Sequence, residues 1–231
     1  MGQISPTKYS FLKKLLQYKG MILDFDGLIA DSEPFHFKAY DTVFRKYGHA
    51  LDPDEYWIEW TSKGNGIAGE IDRHNLQLTV NPKEIRQQKF ELYSKFCRSG
   101  EINLFPGVTS FVQNAAKKFR LAIASGSWGH DIRAILNNSG SEDLFPVILG
   151  KESASREKPH PDIFFEAAKK LKLEASECVV VEDALKGLKA AKAAGMACVI
   201  VQNRLNSKIK FDEADWVADS LHTFTSKLSL Q

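Results

Sequence analysis

The sequence predicts an α/β fold, a Rossmann-like doubly wound parallel sheet with an α-helical segment inserted into it, and three features carry that prediction. Five short runs, MILDF (21–25), LAIAS (121–125), VILG (147–150), CVVVE (178–182) and CVIV (198–201), are apolar and largely β-branched, as suits strands covered on both faces. Helical periodicity separates the later runs, over 128–138, 161–171 and 184–194, and such alternation builds a parallel sheet with helices packed on it. Residues 33 to about 104 break the alternation with aromatic-rich helical patterns, among them PFHFKAYDTVFRKYG and PKEIRQQKFELYSKFC, and no buried strand.

Taken in chain order, residues 5–18 set Phe11, Leu12, Leu15 and Leu16 on one face and read as an amphipathic helix before the first strand. The helical insert follows directly after that strand. LFPGV (104–108) returns the chain to the sheet, with Pro106-Gly107 as turn chemistry. Gly195 stops the helix over 184–194, and WVA (216–218) and LHTFTSKL (221–228) add an edge strand and a closing helix. The expected division is a core of 1–32 and 105–231 with a helical domain of 33–104. Open α/β sheets bind ligands at the carboxyl ends of their strands, and the insert leaves the chain there. It is therefore expected to be a lid that hinges at 31–33 and 105–107, with the glycine-rich SKGNGIAGE (62–70) reaching into the crevice.

At 231 residues, 43% hydrophobic and 26% charged, the chain is long enough to bury a full core. Its formal charge is +2 and its basic residues are dispersed, which gives no reason to expect nucleic acid or a membrane as partner. A small molecule is expected instead, bound by a monomer or weak dimer. Cys97, Cys178 and Cys198 are odd in number and widely spaced, so they read as reduced core thiols. No apolar stretch of signal-peptide length opens the sequence, and Pro6 defeats a myristoylation pattern after Gly2, so a cytoplasmic location is expected. His49, His74, His130, His160 and His222 show no zinc spacing and are assigned no role. Trp57, Trp60, Phe35 and Phe37 read as the insert's own small core, and Trp128 as a residue of the pocket rim.

The chemistry lies at the strand ends. Asp24 and Asp26 follow the first run, Ser125-Gly126-Ser127 the second and Glu182-Asp183 the fourth, while Lys158 sits in the proline-rich REKPHPDIF. Asp24, Asp26, Glu182 and Asp183 make a hard, oxygen-rich set of the kind Mg2+ prefers, with a substrate phosphate completing the shell. A carboxylate attacks phosphorus only when a metal and positive groups offset anion–anion repulsion. Lys158 and the Ser125 hydroxyl are the candidates for that support. Asp26, two residues along an extended chain, falls on the same side as Asp24 and suits proton transfer to the leaving oxygen and from the attacking water.

These segments resemble the four motifs of the haloacid dehalogenase superfamily: DFDGLIADSE, ASGS, KPHPDIF and VVVEDALKGLKAAKAAGM. The insert resembles a class I helical cap, and DSEPFHFKAY resembles the β-phosphoglucomutase-like subfamily. The resemblance implies Asp24 as nucleophile, Asp26 as general acid/base, and Ser125, Gly126, Ser127 and Lys158 around the phosphate. It implies Mg2+ on Asp24, the Asp26 main-chain carbonyl, Asp183, and Glu182 directly or through water. In the cap, His36 matches a histidine near the hinge, and Lys89 falls where relatives present a substrate-facing lysine.

Two departures bear on the activity. Leu28 stands where the first motif usually has Thr or Val, and Ile67 falls near the place of a cap-loop arginine that binds a distal phosphate in mutases. The expected function is a Mg2+-dependent phosphatase acting on a small phosphorylated metabolite through an aspartyl-phosphate. A sugar-phosphate mutase and a non-catalytic regulatory module of the same fold are the alternatives.

Overall fold

A computed structural model describes residues 14–229. Among them, six parallel strands form one sheet: β1 (Gly20–Leu23), β2 (Arg120–Ala124), β3 (Ile148–Leu149), β4 (Cys178–Glu182), β5 (Ala197–Val201) and β6 (Trp216–Ala218), in the order β3-β2-β1-β4-β5-β6. Side chains alternate strictly across it. Met21, Leu23, Leu121, Ile123, Val179, Val181 and Val199 enter one core cluster, while Ile22, Ala122, Val180, Cys198 and Ile200 enter the other. Both faces are covered, so continuous apolar runs are what these strands require.

The helices divide between the two faces in the same way. The helix at Val108–Ala116 contributes Phe111 and Val112 to the first cluster, joined by Ile132, Ile135 and Leu136 of Gly129–Asn138 and by Phe224 of Leu221–Ser229. Asp162–Leu171 and Leu185–Ala193 cover the opposite face through Ile163, Phe164, Ala167, Leu188 and Ala191. The predicted helix over 5–18 lies mostly outside the described residues; Leu15, at its end, is fully buried in the first cluster. All three cysteines are free and buried.

The chain passes from β1 outward to β2 and β3, then returns past β1 to β4. The order reverses between β1 and β4, and at such a switch point a crevice opens beyond the strand ends. Leu23 is in register with Val181, and Asp24 N–H still donates to Val181 O at 2.9 Å. The residues that follow the two strands are therefore side by side.

The insert between β1 and β2 is helical: α1 (Glu33–Arg45), a short turn of helix at Pro53–Glu55 that runs into a π-helical segment (Tyr56–Ser62), α2 (Gly66–His74) and α3 (Pro82–Ser99). Its starts and stops are chemical. Asn81 Oδ1 accepts from Lys83 N–H ahead of α3, Asp52 Oδ1 accepts from Glu55 N–H, and Gly100, in left-handed conformation, ends α3, as capping rules require. Val43, Phe44, Leu51, Tyr56, Trp60 and Ile85 form a separate small core, with Phe37 and Trp57 packed on it. Phe35 departs from expectation. It packs on the main cluster, which also holds Tyr93 and Cys97, because the lower parts of α1 and α3 sit directly on the sheet domain.

The two connections to the insert run together. Ala30 and Leu104 form an antiparallel bridge, Asp31 N–H donates to Asn103 O at 2.9 Å, and Phe105 N–H donates to Ile29 O at 2.9 Å. Arg204 grips the Asp31 carboxylate with both terminal nitrogens, at 3.1 and 3.0 Å.

Candidate active site

The first strand stops earlier than its apolar run suggests, at Leu23, because Phe25 O accepts from both Ile29 and Ala30 N–H and closes a tight loop. Gly27 in that loop has φ +77°, and a Cβ there would collide with the Asp183 carboxylate. Glycine is needed at this position on both counts. The loop thus brings Asp24 and Asp183 together from distant parts of the sequence.

Asp24, Glu182 and Asp183 offer carboxylate oxygens within 4.8 Å of one another, all buried. Lys158 bridges two of them, its Nζ donating to Asp24 Oδ1 and Glu182 Oε1 at 2.6 Å each and to Ala124 O at 3.0 Å. Glu182 Oε2 is taken by the N–H groups of Asp183 and Ala184. One ammonium therefore faces three carboxylates. Burial, then the charges of Glu182 and Asp26, push Asp24 up to about 7 against the opposing pull of Lys158. Burial and the charges of Glu182 and Asp24 likewise push Asp183 well above the carboxylate range. Lys158 goes the other way: burial disfavours its charge, but Asp24 and Glu182 more than reverse this and hold it above the ordinary lysine value. Asp24 Oδ2 and Asp183 Oδ1 accept no hydrogen bond from a described residue. Uncompensated negative charge and two open carboxylate oxygens fit a hard divalent cation.

Asp26 does not bring its carboxylate to that cluster. Its Oδ1 accepts from Ser32 Oγ at 2.5 Å, His36 Nε2 at 3.2 Å and Tyr93 Oη at 3.2 Å, and its Oδ2 from Ser125 Oγ at 3.1 Å and Ser127 Oγ at 2.7 Å. Burial would raise its pKa, but the charge His36 carries when protonated and the bonds from His36, Ser32 and Ser127 outweigh that and hold it far below the usual range. Ser125 and Ser127 are thus engaged with Asp26, while around Gly126 the space is open.

His36 and Lys89 form a chain with Asp26. Lys89 Nζ donates to His36 Nδ1 at 2.7 Å, which leaves the proton on Nε2, facing Asp26. His36 also stacks on Tyr93, centroids 3.7 Å apart. Burial and the Lys89 charge lower His36 to about 4, and burial lowers Lys89 to about 8 against the pull of Asp26 and Glu33. Lys89 is only 3% exposed, so its ammonium is turned to the histidine although its side chain lines the cleft.

Several residues of the site carry no local sequence signal. Ser32 and Tyr93 reach Asp26. Asn203 Nδ2 donates to Gly27 O at 2.9 Å and Asp183 Oδ2 at 3.0 Å, and Asn206 Nδ2 donates to Asp183 O at 2.8 Å. Glu33, buried at the start of α1, is pushed up to about 7, chiefly by burial. The outer wall of the cleft carries Arg86, Lys151 and Lys186, together with Gly64 and Gly66. Ile67 turns instead to the insert's small core. Trp128 is absent from the lining and lies beneath Lys151, whose Nζ is 5.4 Å from its ring centroid.

The fold is thus a doubly wound α/β sheet whose crevice gathers three carboxylates and a lysine. The chain belongs to the haloacid dehalogenase-like hydrolase family, whose profile matches residues 21–201. It is 32% identical to YhcW of Bacillus subtilis over 88% of this chain and 92% of that protein. With the fructose-1-phosphate phosphatase YqaB of Escherichia coli it shares 30% identity, over 80% and 97% of the two chains. The structure of CbbY from Rhodobacter sphaeroides in complex with phosphate superposes with a TM-score of 0.75 at 28% identity, covering 88% of this chain and 95% of that one. A mutant of that CbbY has been crystallised with xylulose-(1,5)bisphosphate. The chain is accordingly a phosphatase-type member of its family. Among the described residues no helix is long and apolar enough to cross a membrane.

Proposed function

We propose that the protein is a Mg2+-dependent phosphatase that hydrolyses a small phosphorylated metabolite, a sugar phosphate or similar phosphomonoester, through a phosphoryl group carried on Asp24. The observation that supports this most is the meeting of Asp24, Glu182 and Asp183 within 4.8 Å, with Lys158 bound to two of them. Asp24 and Asp183 would hold the cation, with the Asp26 main-chain carbonyl and with Glu182 directly or through water. Bound there, the cation would neutralise charge on the carboxylates and on the phosphoryl oxygens.

In this reading an Asp24 oxygen attacks phosphorus, the P–O bond to the metabolite breaks, and the leaving oxygen takes a proton from Asp26. Water then attacks phosphorus, gives its proton to Asp26, and the Asp24–phosphorus bond breaks to release phosphate. Lys158 holds Asp24 in place and meets charge on the transferring group. Asp26, tied to five donors, is a poor acid as it stands. Three of those donors, Ser32, His36 and Tyr93, belong to the hinge and the insert. Movement of the insert, acting as a cap of residues 33–104 on a core of 1–32 and 105–231, would release Asp26 for proton transfer.

The cap would also select the substrate. Arg86, Lys151 and Lys186 on the outer wall suit a metabolite with hydroxyl or further anionic groups, in keeping with the sugar phosphates named for YqaB and CbbY. The test is release of inorganic phosphate from a panel of phosphorylated metabolites and a chromogenic ester, with Mg2+ and with chelator. Mg2+-dependent release from sugar phosphates is expected. An isomeric sugar phosphate formed with little free phosphate would make the protein a mutase, and no turnover by the folded protein would make it a binding module.

A further inference from the structure

The insert carries a second group of metal-ligating side chains, none of which lines the cleft. His49, in the turn after α1, sets Nε2 2.8 Å from Glu70 Oε1. His74, one turn beyond Glu70 on α2, sets its Nε2 3.5 Å from the same oxygen and 2.7 Å from Glu55 Oε2. The ligand atoms of His49, Glu70 and His74 lie within 4.8 Å of one another. The sequence hides this group because the partners of Glu70 come from a helical i, i+4 step and from a turn on another element.

The spacing resembles a coordination shell. Tetrahedral ligands about 2.0–2.1 Å from zinc stand roughly 3.3 Å from one another, and the separations of 2.8 and 3.5 Å fall on either side of that value. The carboxylate is oriented as well. Glu70 is 2% exposed, and its other oxygen, Oε2, accepts from Trp60 Nε1 at 2.9 Å and from Arg73. This leaves Oε1 to face both imidazoles, the kind of support that outer-shell donors give a ligating carboxylate. The remaining charged neighbour is Arg73, whose Nε lies 3.7 Å from Glu55 Oε2. Two imidazoles and a carboxylate favour zinc or cobalt over magnesium, and three protein ligands leave a fourth position for water or for Glu55, which bonds His74 beside them.

We propose that His49, Glu70 and His74 bind a transition-metal ion, Zn2+ fitting best, that ties the turn after α1 to α2, with water or the adjacent Glu55 in the fourth position. The site is independent of the catalytic reading. It is tested by titrating Co2+ into the metal-free full-length protein, with excess Mg2+ present to occupy the active-site carboxylates, and following visible absorption. One equivalent should produce the intense bands of four-coordinate Co2+, and Zn2+ should bleach them and raise the melting temperature. His49→Ala and His74→Ala should each weaken Co2+ binding by at least about tenfold, and Asp183→Asn should leave the bands intact. The wild-type spectrum alone is decisive whether or not the variants fold: absence of intense visible bands overturns the proposal. Bands that survive both histidine substitutions and vanish in Asp183→Asn overturn it equally.

Discussion

Lys158 supplies one positive charge to a buried group of three carboxylates, and that imbalance governs the behaviour of single residues in the site. On the proposed mechanism, Asp24→Asn removes both the attacking oxyanion and part of the repulsion. Turnover is expected to fall by at least about a thousandfold while the melting temperature stays within a few degrees, measured by phosphate release and thermal unfolding. Persistent activity would mean that another group attacks phosphorus. Asn203, which ties Gly27 O to Asp183 Oδ2, would position the carboxylate that the proposed cation needs. Asn203→Ala should raise the Mg2+ concentration for half-maximal activity about tenfold, read from a Mg2+ titration at saturating substrate.

Glu33 gives a pH prediction with a definite sign. Its folded pKa of about 7 stands above its ordinary value of 4.5, so the native state binds the proton more tightly than the unfolded chain. The stability it contributes is complete below pH 4.5 and is lost as pH rises through 7. Glu33→Gln should therefore stabilise the protein at pH 8, by on the order of 2 kcal/mol, and have little effect at pH 5. Denaturant unfolding at the two pH values measures it. A substitution that destabilises equally at both would show that the Thr61 hydrogen bond to Glu33 outweighs the charge.

At the scale of elements, the sheet was legible because its central strands are covered on both faces and so are written as short apolar runs. The β1/β4 crevice followed, and with it the meeting of Asp24 and Asp183. What was not legible depended on where separate elements touch. Tyr93 reads as an ordinary helix residue until α3 packs on the sheet domain and aims its hydroxyl at Asp26. Asn203 and Asn206 lie in a loop whose path only the fold determines. His49 and His74 have no local spacing because a turn and a helix face bring them together. The 62–70 segment is likewise less of a loop than its glycines suggest: Gly64 and Gly66 turn the chain with φ of +82° and +56°, and α2 begins at once. Substitutions at Lys63 to Asn65 should alter the ranking of phosphorylated metabolites several-fold and leave hydrolysis of a small chromogenic ester nearly unchanged, measured as kcat/KM across the panel. Equal loss on every ester would make the segment catalytic support instead.

For the whole molecule, the sheet domain supplies Asp24, Lys158, Glu182 and Asp183, and Asp26 is held from both sides, by Ser125 and Ser127 of the sheet domain and by Ser32, His36 and Tyr93 of the hinge and the insert. The paired connections at Ala30 and Leu104 join these halves at one place, so on the proposed mechanism motion of the insert would loosen the Ser32, His36 and Tyr93 side of the Asp26 network. The most direct test of this account is to quench the turning-over enzyme in acid, reduce it with borohydride and map the modified residue by mass spectrometry. A label on Asp24 that forms with Mg2+ and is absent with chelator is the predicted result. Phosphate release that proceeds without any label on Asp24, or with the label on another residue, would contradict it.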